Sequence, residues 1–393
     1  GSPSGNHVYA SWRRWAALAR CVGVRSTSAL PPEQALRRGH WVKLICGASN
    51  QDLAAIVDLC GIYTLAGVQA IDVAADPAVV AAARRGMAWG MERSTGHGAP
   101  WLMLSLSDGA DPHFRKARFD SEQCPPSCPR PCARVCPALA IGERGGVIAE
   151  RCYGCGRCLP ACPLGLIEAR EHALSAEAVT PLLVALQPDA VEIHTQPGRG
   201  VAFAQRLDQV LAAHLPLQCL SVSCGLEAPA NGRGEALAIR AEASGRDRSS
   251  AEPSGLERLA AELWQRFARL RAAGLRPLWQ LDGRPMSGDV GDGTAHAAVR
   301  LLAALRPWAP PGPLQLAGGT NGHTLELLRR HAGSAAAARR LSAGVAFGGM
   351  ARRQLQPLLL EAERRGTRLL DDADLWPEAL ARARQLVGPW LAS

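Results

Sequence analysis

The chain has 393 residues, 47% of them hydrophobic and 20% charged, enough to bury one large core or two medium ones. It contains no run of eighteen uncharged apolar residues, and no apolar stretch with a small-residue cleavage site opens it, so neither a membrane span nor a secretory signal is expected; eight of its thirteen cysteines crowd into one stretch, which suggests metal ligation in a reducing compartment and so a cytoplasmic protein. The net charge of +9 does not point to nucleic acid: Arg13, Arg14, Arg20, Arg25, Arg37 and Arg38 against Glu33 put +5 in the first 40 residues, leaving +4 over the other 353, too sparse for a phosphate-binding stripe.

In chain order, residues 1–31 read as a poorly ordered extension. From Trp41 short apolar runs alternate with stretches of helical period. The runs are VKLIC (from Val42), AIDVA (Ala70), WLMLSL (Trp101), AVEIHT (Ala190), QCLSVS (Gln218), PLWQL (Pro277), PLQLAG (Pro313) and AGVAFG (Ala343). Helices are expected over 51–65, 77–91, 199–214, 294–305, 324–331 and 352–365. Eight strand–helix repeats close a (β/α)8 TIM-like barrel, the first part over 32–107 and the remainder over 171–393; an open doubly wound sheet is the alternative. The Gly-, Ser- and charge-rich stretch 226–254 reads as a mobile surface loop.

Eight of the thirteen cysteines fall in the 39 residues from Cys124 to Cys162, inside a segment, 108–170, that interrupts the rhythm after the third strand. CYGCGRCLPACP is the bacterial ferredoxin run, with Cys152, Cys155, Cys158 and Cys162 as ligands. Upstream, CPPSCPRPCARVCP supplies Cys124, Cys128, Cys132 and Cys136. In two-cluster ferredoxins the fourth cysteine of each run ligates the other cluster. Cys136 then joins Cys152, Cys155 and Cys158, while Cys162 joins Cys124, Cys128 and Cys132. Two [4Fe–4S] clusters are expected, in a ferredoxin-like α+β insert. The wider steps from Cys124 to Cys132 leave open a [3Fe–4S] centre in the second set. LGLIEA after Cys162 echoes ALAIGE after Cys136, which reads as an internal duplication, each half a short helix and a strand, with a hairpin turning at Gly145–Gly146. Zinc in two four-thiolate sites is the competing metal, disfavoured because three cysteines lie too close in sequence for paired knuckles.

AGGTNGHT after the seventh strand and FGGMARR after the eighth offer Gly318, Gly319, Thr320, Asn321, Gly348, Gly349 and Arg352 as a grip for FMN or another phosphate-bearing ligand; plain turns explain the same glycines. Polar residues near strand ends, Lys43, Asp72, Asp76, Glu192, His194, Asp282, Arg284, Ser287 and Asp289, are candidates to face the same cavity, and Glu192, His194 and Gln196 share one face of their strand. None of these singles out a catalytic residue.

WVKLICGASNQDL, YTLAGVQAIDVAADP, DPHFRKARFD, the cysteine segment and LQLAGGTNGHT together resemble the cyanobacterial light-dependent period family from about Pro32 onward. The resemblance implies an iron–sulfur protein that senses light-dependent cellular redox state and modulates circadian period, with clock-input proteins as partners and a redox carrier such as quinone or ferredoxin as electron source. Two other classes compete. A flavin barrel oxidoreductase would use the clusters as an electron relay, and a scaffold would use them only as staples.

Overall fold

Eight parallel strands close on themselves in a computed structural model that describes residues 30–392 apart from 97, 137, 172–173, 227–253 and 284–291. Most of the N-terminal extension and of the Gly/Ser-rich loop therefore lies outside the described residues, as do Arg284, Ser287 and Asp289. The strands are β1 (Trp41–Gly47), β2 (Ala70–Ala74), β3 (Trp101–Ser107), β6 (Ala190–His194), β7 (Cys219–Gly225), β8 (Pro277–Asp282), β9 (Leu314–Ala317) and β10 (Gly344–Phe347). They are hydrogen-bonded in the order β1-β10-β9-β8-β7-β6-β3-β2 around a closed barrel. This is the TIM-like architecture expected from the eight runs, and the open sheet is excluded by the β1–β10 pairing.

The strands are buried on both faces, as an all-parallel sheet under helices requires. Outward residues such as Ile71, Val73, Leu102, Leu104, Val191, Leu220 and Val222 join the main apolar core with the surrounding helices. Helix starts are written in the sequence: Asp52 accepts from the Ala55 N–H ahead of Leu53–Ala66, and Asp76 accepts from Ala78 and Val79 N–H ahead of Pro77–Arg93. Helices Ala176–Leu186, Gly255–Ala272, Ala335–Leu341 and Leu375–Leu391 add to those expected. The first and last carry an internal proline, Pro181 and Pro389, that masks them in a propensity reading.

Between β3 and β6 two further strands, β4 (Arg115–Arg118) and β5 (Glu168–Glu171), form a separate antiparallel pair. β5 begins at the end of LGLIEA, where the second half of the duplication was expected to give a strand; RKAR has no apolar alternation, so the sequence hides β4. Their register sets Arg115 against Glu171 and Arg118 against Glu168, opposite charges across the ladder. Short helices Pro131–Arg134 and Cys158–Ala161 lie within the two cysteine runs, each just before the run's last cysteine. The turn expected at Gly145–Gly146 is present, both glycines at positive φ, but it closes a single bridge between Ile141 and Val147 and no continuous hairpin.

The cluster sites and the barrel mouth

Cys136, Cys152, Cys155 and Cys158 line one pocket, with Ala138, Ala140, Val147 and Tyr153 around them. Cys152, Cys155 and Cys158 are buried. Burial, and then the charges of Cys155, Cys152 and Cys136, push the Cys158 thiol up to about 12. Thiols so placed favour a metal, which takes the sulfur as thiolate and removes the cost of the bare charge. The Ala117 N–H donates to Cys152 Sγ at 3.3 Å and the Ala140 N–H to Cys136 Sγ at 3.2 Å. Amide donors to sulfur are the contacts that tune a cluster's potential. Gly154 and Gly156, at φ +75° and +77°, let the backbone turn between the three cysteines.

The other four cysteines form the second group. Burial raises the Cys132 thiol, and the nearby charges of Cys162, Cys124 and Cys128 raise it further. Cys124, Cys128 and Cys162 are each partly exposed. Backbone N–H groups from Leu164 to Ile167 outweigh burial at Cys162 and hold its thiol below the usual range. Three of the four thiols are thus buried in the first group, the inner set, and three of the four are partly exposed in the second, the outer set, with Cys136 and Cys132 the exceptions.

The inner set abuts the barrel through Tyr153. A Cβ placed on Gly47, at the end of β1 and at φ +108°, would lie 3.2 Å from Tyr153 Cβ, so only glycine admits the ring there. Arg352, in the last barrel helix but one, sits with its guanidinium carbon 5.2 Å from the Tyr153 ring centroid. Lys116 Nζ donates to Gln51 Oε1 at 2.7 Å, the Gln51 N–H donates to Glu150 O at 3.1 Å, and Arg151 pairs with Glu363 at 2.8 Å. The insert is thus pinned over the C-terminal mouth, the face where barrels place chemistry.

Below it the barrel interior is filled in layers. Trp41, Ala70, Met103, Ala190, Cys219 and Leu278 close the N-terminal end. Above them Lys43, fully buried, donates to Asp72 at 3.0 Å and to Glu192 at 2.5 Å. Glu192 also accepts from Ser221 at 2.7 Å and from Gln280 at 3.0 Å, and Gln315 bridges Gln280 to Trp41 at 2.5 Å on each side. Burial pulls Lys43 toward the neutral form, yet Asp72 and Glu192 outweigh it and its pKa rises. Glu192 is held well below the usual carboxylate range by Lys43 and His194 despite burial, whereas burial raises Asp72. At the mouth His194 meets Glu192 at 3.1 Å, and Ser223 donates to Asp282 at 2.5 Å.

Lys43, Asp72, Glu192, His194 and Asp282 therefore converge as the strand-end reading expected. Asp76 instead caps a helix, and Gln196 accepts from Arg199 at 3.2 Å outside the interior. The glycine-rich loops carry structural bonds. Thr320 Oγ1 donates to Ala346 O, Thr294 Oγ1 donates to Gly319 O, and Asn321 Oδ1 accepts from the His323 N–H. A Cβ on Gly319, at φ +85°, would reach 2.9 Å from Thr294 O. Gly348 and Gly349 open helix Gly349–Arg364, and Arg352 is turned to Tyr153. Asp111, His113 and Tyr153 went unnoticed as site residues. Asp111 and His113 stand two apart in a connection with no periodic signal, and Tyr153 is hidden between two cysteines.

Over 363 residues, 92% of this chain and 94% of the relative, the sequence is 46% identical to Light dependent period A of Synechococcus elongatus. The chain belongs to the Light dependent period A family. Its residues 182–389 match that family's C-terminal domain and residues 124–173 its Fe–S cluster-binding domain, so it is an iron–sulfur protein. Shorter matches reach two proteins of Escherichia coli: the putative electron transport protein YsaA, 44% identical over 12% of this chain and 33% of that one, and the electron transport protein HydN, 51% over 10% and 23%. Among solved structures, (S)-3-O-geranylgeranylglyceryl phosphate synthase of Thermoplasma acidophilum aligns over 90% of this chain and 96% of its own at TM-score 0.36 and 10% identity. That score carries no weight, and the barrel of this Light dependent period A relative rests on its own strand order. Among the described residues no helix is long and apolar enough to cross a membrane.

Proposed function

We propose that this chain is a cytoplasmic redox sensor carrying two [4Fe–4S] clusters, one on Cys136, Cys152, Cys155 and Cys158, the other on Cys124, Cys128, Cys132 and Cys162. Its output is the period of the circadian clock, set through clock-input proteins, and its electrons come from a small carrier such as a quinone or ferredoxin. The clusters, when bound, supply reversible one-electron uptake. The observation that carries the reading is the division of the eight thiols into two groups, one against Tyr153 and Arg352 with three of its four members buried, the other with three of its four partly exposed. A half-exposed set suits exchange with a carrier. The inner set lies where a change of one charge acts on a buried cation and on the β1 end of the barrel, which favours one arrangement of an interface over another. Kinship with Light dependent period A, and the electron-transport names of the shorter matches, support the same direction.

The wide spacing of Cys124, Cys128 and Cys132 keeps [3Fe–4S] as the alternative state of the outer centre. The flavin-barrel alternative has less support. Side chains from Trp41 to Asp282 fill the interior, and Thr320 and Asn321 already spend their polar atoms on the fold. The test is a potentiometric titration followed by EPR on protein purified without oxygen, with a flavin assay on the same sample. Both centres should change oxidation state between the potentials of ferredoxin and quinone. Centres silent across that range, or stoichiometric flavin, would overturn the reading.

A further inference from the structure

Asp111 and His113 lie in the connection from β3 to β4, and His194 ends β6. One ligand atom from each falls within 4.8 Å of the others. Asp111 and His194 are buried, while the His113 side chain keeps 29% of its surface open to solvent.

The orientation of His194 is what distinguishes this group from an ordinary buried ion pair. Its Nε2 lies 3.1 Å from Glu192 Oε1. Glu192 is an acceptor fixed by Lys43 at 2.5 Å and Ser221 at 2.7 Å, so Nε2 carries the proton. Despite burial, the hydrogen bond to Glu192 and the charges of Glu192 and Asp111 raise His194 to about 9, so Nδ1 on the other side carries a second proton, the one a bound metal ion would displace. That nitrogen is buried, has no hydrogen-bond partner among the described residues, and stands 3.9 Å from Asp111 Oδ2. The gap is too long for a hydrogen bond. It is near the roughly 3 to 3.5 Å that separates two ligand atoms on one cation with bonds of about 2.1 Å. Donation of the outer N–H to a carboxylate is how metal-bound histidines are oriented, and Glu192 supplies that carboxylate here. Asp111, held in the charged form by His113 despite burial, and nearby Asp282 add a field that favours a cation at this point.

We propose that Asp111, His113 and His194 bind one divalent first-row transition metal ion, zinc or ferrous iron, with Glu192 orienting His194. Two imidazoles and one carboxylate select such ions over magnesium or calcium, which prefer oxygen. His113 Nδ1 now contacts Asp111 Oδ1 at 2.7 Å. Bonds to the ion replace that contact, and either ring nitrogen of His113 can supply one. The solvent-facing edge of His113 gives the ion its entry. Since Asp111 and His113 directly precede β4, the ion ties the approach to the cluster domain to barrel strand β6.

The test titrates zinc(II) calorimetrically into chelator-treated, anaerobically purified full-length protein, with visible absorbance confirming that the clusters stay intact. One zinc per chain is expected. His113→Ala, at a partly exposed position, and Asp111→Asn should each weaken binding roughly tenfold to a hundredfold. A wild-type chain that takes up no zinc, its His194 Nδ1 satisfied by a proton alone, would overturn the proposal. So would zinc binding that survives both substitutions unchanged.

Discussion

The Tyr153 ring lies 5.2 Å from the guanidinium carbon of Arg352, joining the loop between two inner-set cysteines to the barrel's penultimate helix. Both residues are buried, and neither Tyr153 Oη nor Arg352 Nη2 has a hydrogen-bond partner among the described residues. A cation held without a carboxylate beside an electron-accepting site stabilises the reduced, more negative state.

Arg352→Gln should therefore lower the reduction potential of the inner centre by up to about 60 mV, a tenfold change in a one-electron equilibrium. The outer centre should move much less. An EPR-monitored redox titration reads both; equal shifts in the two would deny the contact its role.

The second group is the more open of the two: Cys124, Cys128 and Cys162 are partly exposed and only Cys132 is buried, whereas in the first group Cys152, Cys155 and Cys158 are buried and only Cys136 is partly exposed. Air should therefore destroy the outer centre first. Timed exposure to oxygen, with iron and EPR signals followed together, is expected to give two phases, and the first should spare the inner signal.

Lys43 is the only cation within 3 Å of Asp72 and Glu192 among the described residues, and all three are buried. Lys43→Met would leave two carboxylates buried without it, at a cost of about 3–5 kcal/mol. Urea denaturation should show that loss. A loss below about 1 kcal/mol would mean that the serine and glutamine contacts suffice.

Burial raises the Asp58 carboxyl to about 6, with Arg368 opposing. The folded state holds this proton more tightly than the unfolded chain, so the contribution is complete below roughly pH 4 and is lost as pH rises through about 6. Asp58→Asn should gain on the order of 1–2 kcal/mol at pH 7.5 over wild type and little at pH 4. Thermal melts at the two pH values measure the difference.

Strand count and barrel closure were legible because each barrel strand is a nearly continuous apolar run, VKLIC or WLMLSL, set off by polar turns. The convergence of Cys136 with Cys152, Cys155 and Cys158 on one pocket matches the spacing of the ferredoxin-like run. The β4–β5 pairing was not legible, since RKAR has no apolar alternation and its register against EARE joins residues fifty or more positions apart. Arg352 was expected to face a phosphate and instead faces Tyr153, a contact across 199 positions that depends on where the insert docks. Asp111 and His113 were likewise invisible until the barrel brought His194 beside them.

Iron and sulfide analysis with EPR on wild type, Cys155→Ser and Cys128→Ser, all purified without oxygen, tests the division of eight thiolates between two centres most directly. Wild type should hold about eight irons, two cubanes' worth, and each variant should lose one centre's signal while keeping most of the other's. Zinc in place of iron, or an iron content untouched by Cys155→Ser, would contradict it.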